Sequence, residues 1–325
     1  MNQFAIVTDG AANITTSIAE EYGIVVVPLR VVYEGGILDE KELEEKLEFF
    51  YFNHGGRLPS THSPAVGQFE AAYQTLIDQG YNQILSVHMS SALSKSANHA
   101  VRAAENICKH ISDQVSTAID NDLGVTKCSA VVADKTVTIT VVDSRSVSIG
   151  EGVLCIEALA LADAGYDMKT ALKHVVDIRN ESRLYLIPRS IDRIAQTGWI
   201  KRMAGIFSRL SNKRMVVTFD QNGRMEFDFK SSDLRDACAW VARALADDSH
   251  DGNLVFYKME IFGESELKLL EKPLHTNELH AHCLGFARTS PEVSLYVGSG
   301  AVGVYSYPAS LSSDYALLLT RSEEE

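Results

Sequence analysis

The chain has 325 residues, 46% of them apolar, which is enough for more than one buried core, so two domains are expected. Its formal net charge of −13 disfavours bulk attraction to nucleic acid or to an anionic membrane. Five dispersed cysteines without a C-x-x-C pair read as reduced thiols, and no apolar run approaches the roughly 20 residues of a membrane helix.

Met1 leads straight into the apolar run Phe4–Thr8 without a signal-peptide pattern, so a soluble cytoplasmic protein is expected. That run ends in Asp9-Gly10, a turn signal, and a helix follows from about Asn13. Ile24–Leu29 is β-branched and apolar throughout, as in a strand buried on both faces of a parallel sheet. Lys41–Tyr51 places Leu43, Leu47 and Phe50 on one helical face. Pro59–Pro64 reads as a loop, and Ala65–Gln79 as a helix with Phe69, Tyr73 and Leu76 at helical spacing. Ile84–Met89 alternates as a strand, and a helical pattern follows from about Ala92. The polar stretch of about 110–135 reads as an insertion. Thr136–Val142 is a strand, and helices are expected over Val147–Asp163 and Met168–Asn180. This alternation of strand and helix predicts a mostly parallel sheet flanked by helices over residues 1–180.

Beyond Arg183 the pattern changes, and residues 181–325 are expected to form a mixed α/β domain. Leu184–Ile187 is a strand, followed by a basic segment that includes Arg189, Arg193, Lys201, Arg202, Arg209 and Arg214. Met215–Phe219 and Met225–Phe229 flank an Asn-Gly turn and read as a hairpin. A helix over Ser231–Ala246, a strand over Leu254–Tyr257 and a helix over Glu264–Lys272 follow. Strands are expected over His280–Leu284 and Val293–Val297. Glu323–Glu325 is an acidic tail.

Four serines, Ser90, Ser91, Ser94 and Ser96, crowd the turn between the Ile84 strand and its helix. Such a turn aims hydroxyls and free backbone N–H groups at one spot, which suits an anion; helix capping alone would also select serine there. Thr61 and Ser63 form a second hydroxyl group beside a strand end, and His62 and His88 lie next to the two clusters. Neutral hydroxyls among apolar neighbours suit a ligand with one anionic head and an apolar body. Gly298–Gly303 matches G-x-G-x-x-G, but too little chain follows for a dinucleotide-binding βαβ unit. His280 and His282 could seed a metal site, yet no second cluster has ligand spacing. There is no Walker A sequence and no G-x-S-x-G elbow.

Six segments in this order resemble the DegV family of bacterial fatty-acid-binding proteins over most of the chain. Ile6-Val-Thr-Asp-Gly-Ala-Ala-Asn-Ile14 is similar to the family's opening I-T-D-S motif, and Thr61-His-Ser-Pro-Ala-Val-Gly-Gln-Phe69 to its T-S-Q-P loop. Ser86-Val-His-Met-Ser-Ser-Ala-Leu-Ser-Lys-Ser96 resembles S-I-H-x-S-S-x-L-S-G-T. Val141-Val-Asp-Ser144 with Ser148-Ile-Gly-Glu-Gly152 resembles V-I-D-S followed by S-x-G-x-G. Ser190-Ile-Asp-Arg-Ile194 resembles K-G-G-R-I, and Val297-Gly-Ser-Gly-Ala-Val-Gly303 the closing H-T-G-x-G-A segment. Gly10 stands where the family has serine, Lys95 where it has glycine, and Tyr296 where it has histidine.

The resemblance implies a two-domain α/β lipid carrier that is not itself an enzyme, with one long-chain fatty acid as ligand, no other cofactor and no metal. It places the carboxylate on Thr61 and Ser94, with Ser91, His62, Arg193, Tyr296 and Gly298 as further ligand-binding positions. It also implies a partner, a separate ATP-using fatty-acid kinase that phosphorylates the presented carboxylate; neither nucleic-acid binding nor membrane insertion is expected. Two other readings stay open from the residues: a Ser/His-dependent acyl hydrolase or transferase using His62 or His88, and an interaction module that docks through the basic segment.

Overall fold

The computed structural model describes residues 3–38, 40–52, 58–196, 213–276 and 279–320. In chain order its elements begin with β1 (Ala5–Asp9), α1 (Thr16–Tyr22), β2 (Val25–Val27), β3 (Arg30–Tyr33), β4 (Gly36–Leu38), α2 (Glu40–Phe52), β5 (Ser60–His62) and α3 (Val66–Asp78). Next come β6 (Gln83–His88), α4 (Ser96–Ile111), β7 (Val115–Asp120), β8 (Val125–Val132), β9 (Lys135–Asp143), α5 (Ile149–Asp163), α6 (Met168–Glu181) and β10 (Arg183–Ile187). The chain continues through α7 (Ile191–Gln196), β11 (Arg214–Phe219), β12 (Met225–Ser231), α8 (Leu234–Asp248) and β13 (Leu254–Ile261). It finishes with α9 (Glu264–Thr276), β14 (Ala281–Arg288), α10 (Pro291–Val297), β15 (Ala301–Pro308) and short 3-10 turns.

Two units form. The first contains Met1–Arg30, Thr61–Asn180 and Ser313–Glu325; the second contains Val31–Ser60 and Glu181–Ser312. A single cut at 180 therefore misplaces two segments. Leu43, Leu47 and Phe50 of α2 bury themselves with Leu186, Val217 and Ala301, which draws that helix into the second unit's core. At the other end, both carboxylate oxygens of buried Glu157 on α5 accept the Ser313 N–H, at 3.1 and 3.0 Å, within the first unit.

The first unit is built on a six-stranded sheet in the order β2-β1-β6-β9-β8-β7. The four strands β2, β1, β6 and β9 run parallel, as the alternation of strand and helix along the sequence predicts. The stretch of about 110–135, expected as a polar insertion, has regular structure. After α4 ends at Ile111 it forms the antiparallel hairpin β7–β8, which extends the sheet from β9. Alternation is the physical reason: Cys128 and Ala130 turn into the core while Lys127, Ser129 and Val131 between and beside them point the other way. On one face Phe69, Tyr73, Ala100, Ala103 and Ala104 of α3 and α4 pack on Ile84 and Ile139. Helix α5 is buried at every residue from Ile149 to Leu159, and Gly152 lets other backbone approach it closely. A Cβ on Gly152 would lie 2.2 Å from the Ala12 carbonyl oxygen.

The second unit is a six-stranded sheet in the order β12-β11-β10-β15-β13-β14, antiparallel except for the β13–β14 pair. Period-two alternation divides β10 between two cores: Leu186 packs with α2, α7 and α10, while Tyr185 and Ile187 pack with α8 and α9. The expected final strand over Val293–Val297 is instead helix α10. Ser290 and Pro291 open a helix at N-cap and N1, and this local start signal outweighs the β preference of Val293 and Val297. The strand is displaced to β15, so the glycines of Gly298–Gly303 precede and enter a strand rather than follow one. Lys201, Arg202 and Arg209 of the basic segment and the tail Glu323–Glu325 lie outside the described residues. No described helix is long and apolar enough to cross a membrane.

Candidate functional site

Strand order places β1 between β2 and β6, with β9 beyond β6. Successive parallel connections thus run in opposite directions on either side of the β1–β6 pair. In open α/β sheets a ligand crevice forms outside the carboxyl ends of such strands. The turns after Asp9 and His88, which carry Gly10 and the serine cluster, leave the sheet at that edge.

The serine turn is longer than its sequence pattern predicts. Helix α4 begins at Ser96, with Lys95 at its N-cap, because Leu93 N–H and Ser94 N–H both donate to the Ser90 carbonyl and hold a separate turn first. Ser90 is buried, and its N–H donates to the Ser146 carbonyl at 2.9 Å. Ser91 is exposed and committed elsewhere: its hydroxyl donates to Asp143 Oδ2 at 2.5 Å, and its N–H also meets that carboxylate. Ser94 is half-buried and sits at the centre of a hydroxyl relay. Its Oγ lies 2.9 Å from Ser63 Oγ and 3.0 Å from Ser96 Oγ, and it accepts the Ser96 N–H at 3.2 Å. Lys95 N–H donates to Ser63 Oγ at 3.0 Å. The loop that begins at Thr61 is thereby tied to the serine turn. Thr61 is half-buried on β5, His62 beside it is exposed, and His99 of α4 anchors the loop through the Pro64 carbonyl at 2.7 Å.

Arg193, Tyr296 and Gly298 are brought together within the second unit. The Arg193 guanidinium donates to the carbonyls of Leu295 at 3.3 Å and Phe50 at 3.0 Å. Tyr296 is buried on α10, and Gly298 closes that helix at φ +81°, where a Cβ would crowd Arg189 and Arg193. Arg193 therefore organises the backbone around the glycine turn.

A second polar cluster in the first unit escaped sequence reasoning in part. Ser86 Oγ is 2.6 Å from His88 Nε2, and His88 Nδ1 is 3.2 Å from Asp9 Oδ2. Tyr73 OH meets Ser86 Oγ at 2.8 Å. All four side chains are fully buried. Glu151, on the first turn of α5, joins them: its Oε1 accepts the Thr8 hydroxyl at 3.0 Å. Burial, reinforced by the negative charge of Asp9, pushes the Glu151 carboxyl well above the usual carboxylate range, and the Thr8 hydrogen bond opposes that shift. The spacing of Ser86 and His88, two apart on one strand face, was a readable signal. Their acidic partners come from segments remote in sequence, and only folding supplies them. His88 thus pairs with Ser86 rather than with Ser94.

A family model described as an uncharacterised protein of the DegV family matches residues 3–309. A DegV domain-containing protein from Streptococcus pyogenes serotype M3 is 25% identical over 305 residues, covering 94% of this chain and 98% of the relative. Among solved structures, a fatty acid binding DegV family protein from Streptococcus agalactiae aligns with a TM-score of 0.76 at 16% identity, covering 95% of this chain and 99% of its own. DegV from Bacillus subtilis, described as a fatty acid binding protein, aligns with a TM-score of 0.72 at 19% identity, covering 94% and 99%.

Proposed function

The chain belongs to the DegV family, and from that membership we propose that it binds one long-chain fatty acid, with the carboxylate on the hydroxyls of Thr61 and Ser94 and the acyl body buried. The observation that carries this reading is the Ser63–Ser94–Ser96 hydroxyl relay at the sheet edge. Hydroxyls and the backbone N–H groups of a helix start satisfy a carboxylate without a salt bridge. Each buried methylene adds roughly 0.8 kcal/mol, so a long acyl chain supplies most of the affinity. Four structural neighbours carry fatty acid binding in their descriptions, which supports the ligand class.

We further propose that the bound acid is presented to a separate ATP-using kinase for conversion to an acyl phosphate. A carrier role fits a relay of neutral hydroxyls better than a catalytic one. The Ser86–His88–Asp9 contacts share the order of a hydrolase triad, but every member is fully buried and Ser86 is also bonded to Tyr73. Of the basic segment, Lys201, Arg202 and Arg209 lie outside the described residues, so the docking reading gains no support here.

Mass spectrometry of organic extracts of the purified protein tests the binding reading. One fatty acid per chain is expected; no stoichiometric lipid, together with no thermal shift on adding oleate or palmitate, overturns it. The kinase step is tested separately with lipid-loaded protein, ATP and a purified fatty-acid kinase. Acyl phosphate that forms only when the carrier is present is the expected result.

A further inference from the structure

Asp9, His88 and Glu151 each offer one metal-ligand atom, all within 4.8 Å of one another, and all three residues are fully buried. Each has its other polar atom engaged. Asp9 Oδ1 accepts the Ala11 N–H at 3.0 Å, His88 Nε2 meets Ser86 Oγ at 2.6 Å, and Glu151 Oε1 accepts the Thr8 hydroxyl at 3.0 Å. Ligating imidazoles and carboxylates are commonly held in this way by a bond on the side away from the metal. The atoms left for an ion are Asp9 Oδ2 and His88 Nδ1, which hydrogen-bond to each other at 3.2 Å, and Glu151 Oε2, a buried carboxylate oxygen without a hydrogen bond of its own, on a carboxyl that also faces the backbone N–H groups of Asp9 and Met89.

An unpaired buried carboxylate oxygen is costly, and a second carboxylate beside it raises that cost. The arrangement calls for a positive charge. Two ligands at about 2.0–2.1 Å from one tetrahedral ion lie about 3.3–3.4 Å apart, so the 3.2 Å between Asp9 Oδ2 and His88 Nδ1 need open only slightly to admit one. Two carboxylates and a neutral imidazole balance the charge of a divalent ion. An imidazole nitrogen in the set favours a first-row transition metal over magnesium or calcium.

We propose that Asp9, His88 and Glu151 form a buried three-ligand site for one divalent transition-metal ion of the Zn²⁺ class, with water as the fourth ligand. The ion joins the carboxyl ends of the neighbouring strands β1 and β6 to the first turn of α5. It is taken up as the chain folds, since none of its ligands is exposed. The site is independent of fatty-acid binding and survives the failure of that reading.

The test refolds the full chain from denaturant in chelator-treated buffer, with or without Zn²⁺ and, separately, Mn²⁺. The protein is then desalted, its metal counted by atomic emission, and its thermal unfolding recorded. Wild type is expected to retain one equivalent and to gain about 5 °C or more in Tm, as ligand linkage to the folded state requires. Glu151→Gln, which keeps the shape and the Thr8 contact, is expected to retain less than a tenth of that. Equal retention by wild type and Glu151→Gln, or no retention by either, overturns the proposal and leaves a proton as the cluster's positive charge. Should Glu151→Gln not fold, Co²⁺-refolded wild type decides: a visible spectrum of low-coordinate cobalt is expected, and that of the hydrated ion refutes the site.

Discussion

The hydroxyl oxygens of Ser63 and Ser94 stand 2.9 Å apart across 31 residues of sequence. That contact joins the Thr61 loop to the serine turn before any ligand enters. Ser94→Ala removes a donor to the proposed carboxylate, and a hydrogen bond to a charged group is worth about 1.5–3 kcal/mol. Fatty-acid affinity should fall by roughly 10- to 100-fold, with Thr61→Ala similar and Ser91→Ala near wild type, because the Ser91 hydroxyl is already given to Asp143. Displacement of a fluorescent fatty acid measures all three.

Gly152 faces the chain's own backbone. With a Cβ placed 2.2 Å from the Ala12 carbonyl oxygen, Gly152→Ala forces α5 away from the turn after β1. Overpacking against backbone costs about 1–3 kcal/mol, so denaturant unfolding should show a loss of that size. Gly165→Ala is no control for crowding, since φ +81° strains any side chain there; Gly67→Ala is, because its nearest neighbour is the end of the Glu70 side chain at 3.9 Å.

Alkaline stability should depend on Tyr185. Burial and the hydrogen bond that its hydroxyl donates to Asp248 at 2.5 Å raise its pKa above the ordinary value of 10.0. Above pH 10 the unfolded chain loses this proton while the folded chain keeps it. The contribution is complete below that pH and is lost as pH rises past it, at up to about 1.4 kcal/mol per pH unit. Tyr185→Phe should flatten the alkaline limb of a stability-against-pH curve. An unchanged limb would place the titrating group elsewhere.

Thiol reactivity should be confined to one site in the native state. Cys108, Cys128, Cys155 and Cys238 are buried, whereas Cys283 is partly exposed. Burial pushes the thiols of Cys108 and Cys238 up to about 12, so they stay protonated and unreactive at pH 8. A disulfide reagent should titrate at most Cys283 in native protein and all five after denaturation.

Local pattern was enough wherever one residue's neighbours in sequence are its neighbours in space. The expected strands Phe4–Thr8 and Ile84–Met89 fall within one residue of β1 and β6, and the helical spacing of Phe69, Tyr73 and Leu76 stands in α3. It failed where two local signals compete. Val293 and Val297 favour a strand, Ser290-Pro291 starts a helix, and packing of Leu295 and Val297 beside Leu43 and Phe50 stabilises the helix. The hairpin β7–β8 was hidden because the edge strand β7 is exposed from Ser116 to Asp120 and β8 buries only Val125, Cys128 and Ala130, which leaves little apolar signal.

The sequence by itself determined the α/β class, the family, and the two hydroxyl-bearing loops, because motif order and periodicity are properties of the chain read locally. Only the tertiary structure decided which atoms meet. It ties Ser94 to Ser63 and Ser96, commits Ser91 to Asp143, and gathers Asp9, His88 and Glu151 around one buried point. Parallel strands are joined by long crossovers, so residues at adjacent strand ends are far apart in sequence, and no local pattern records that they will touch.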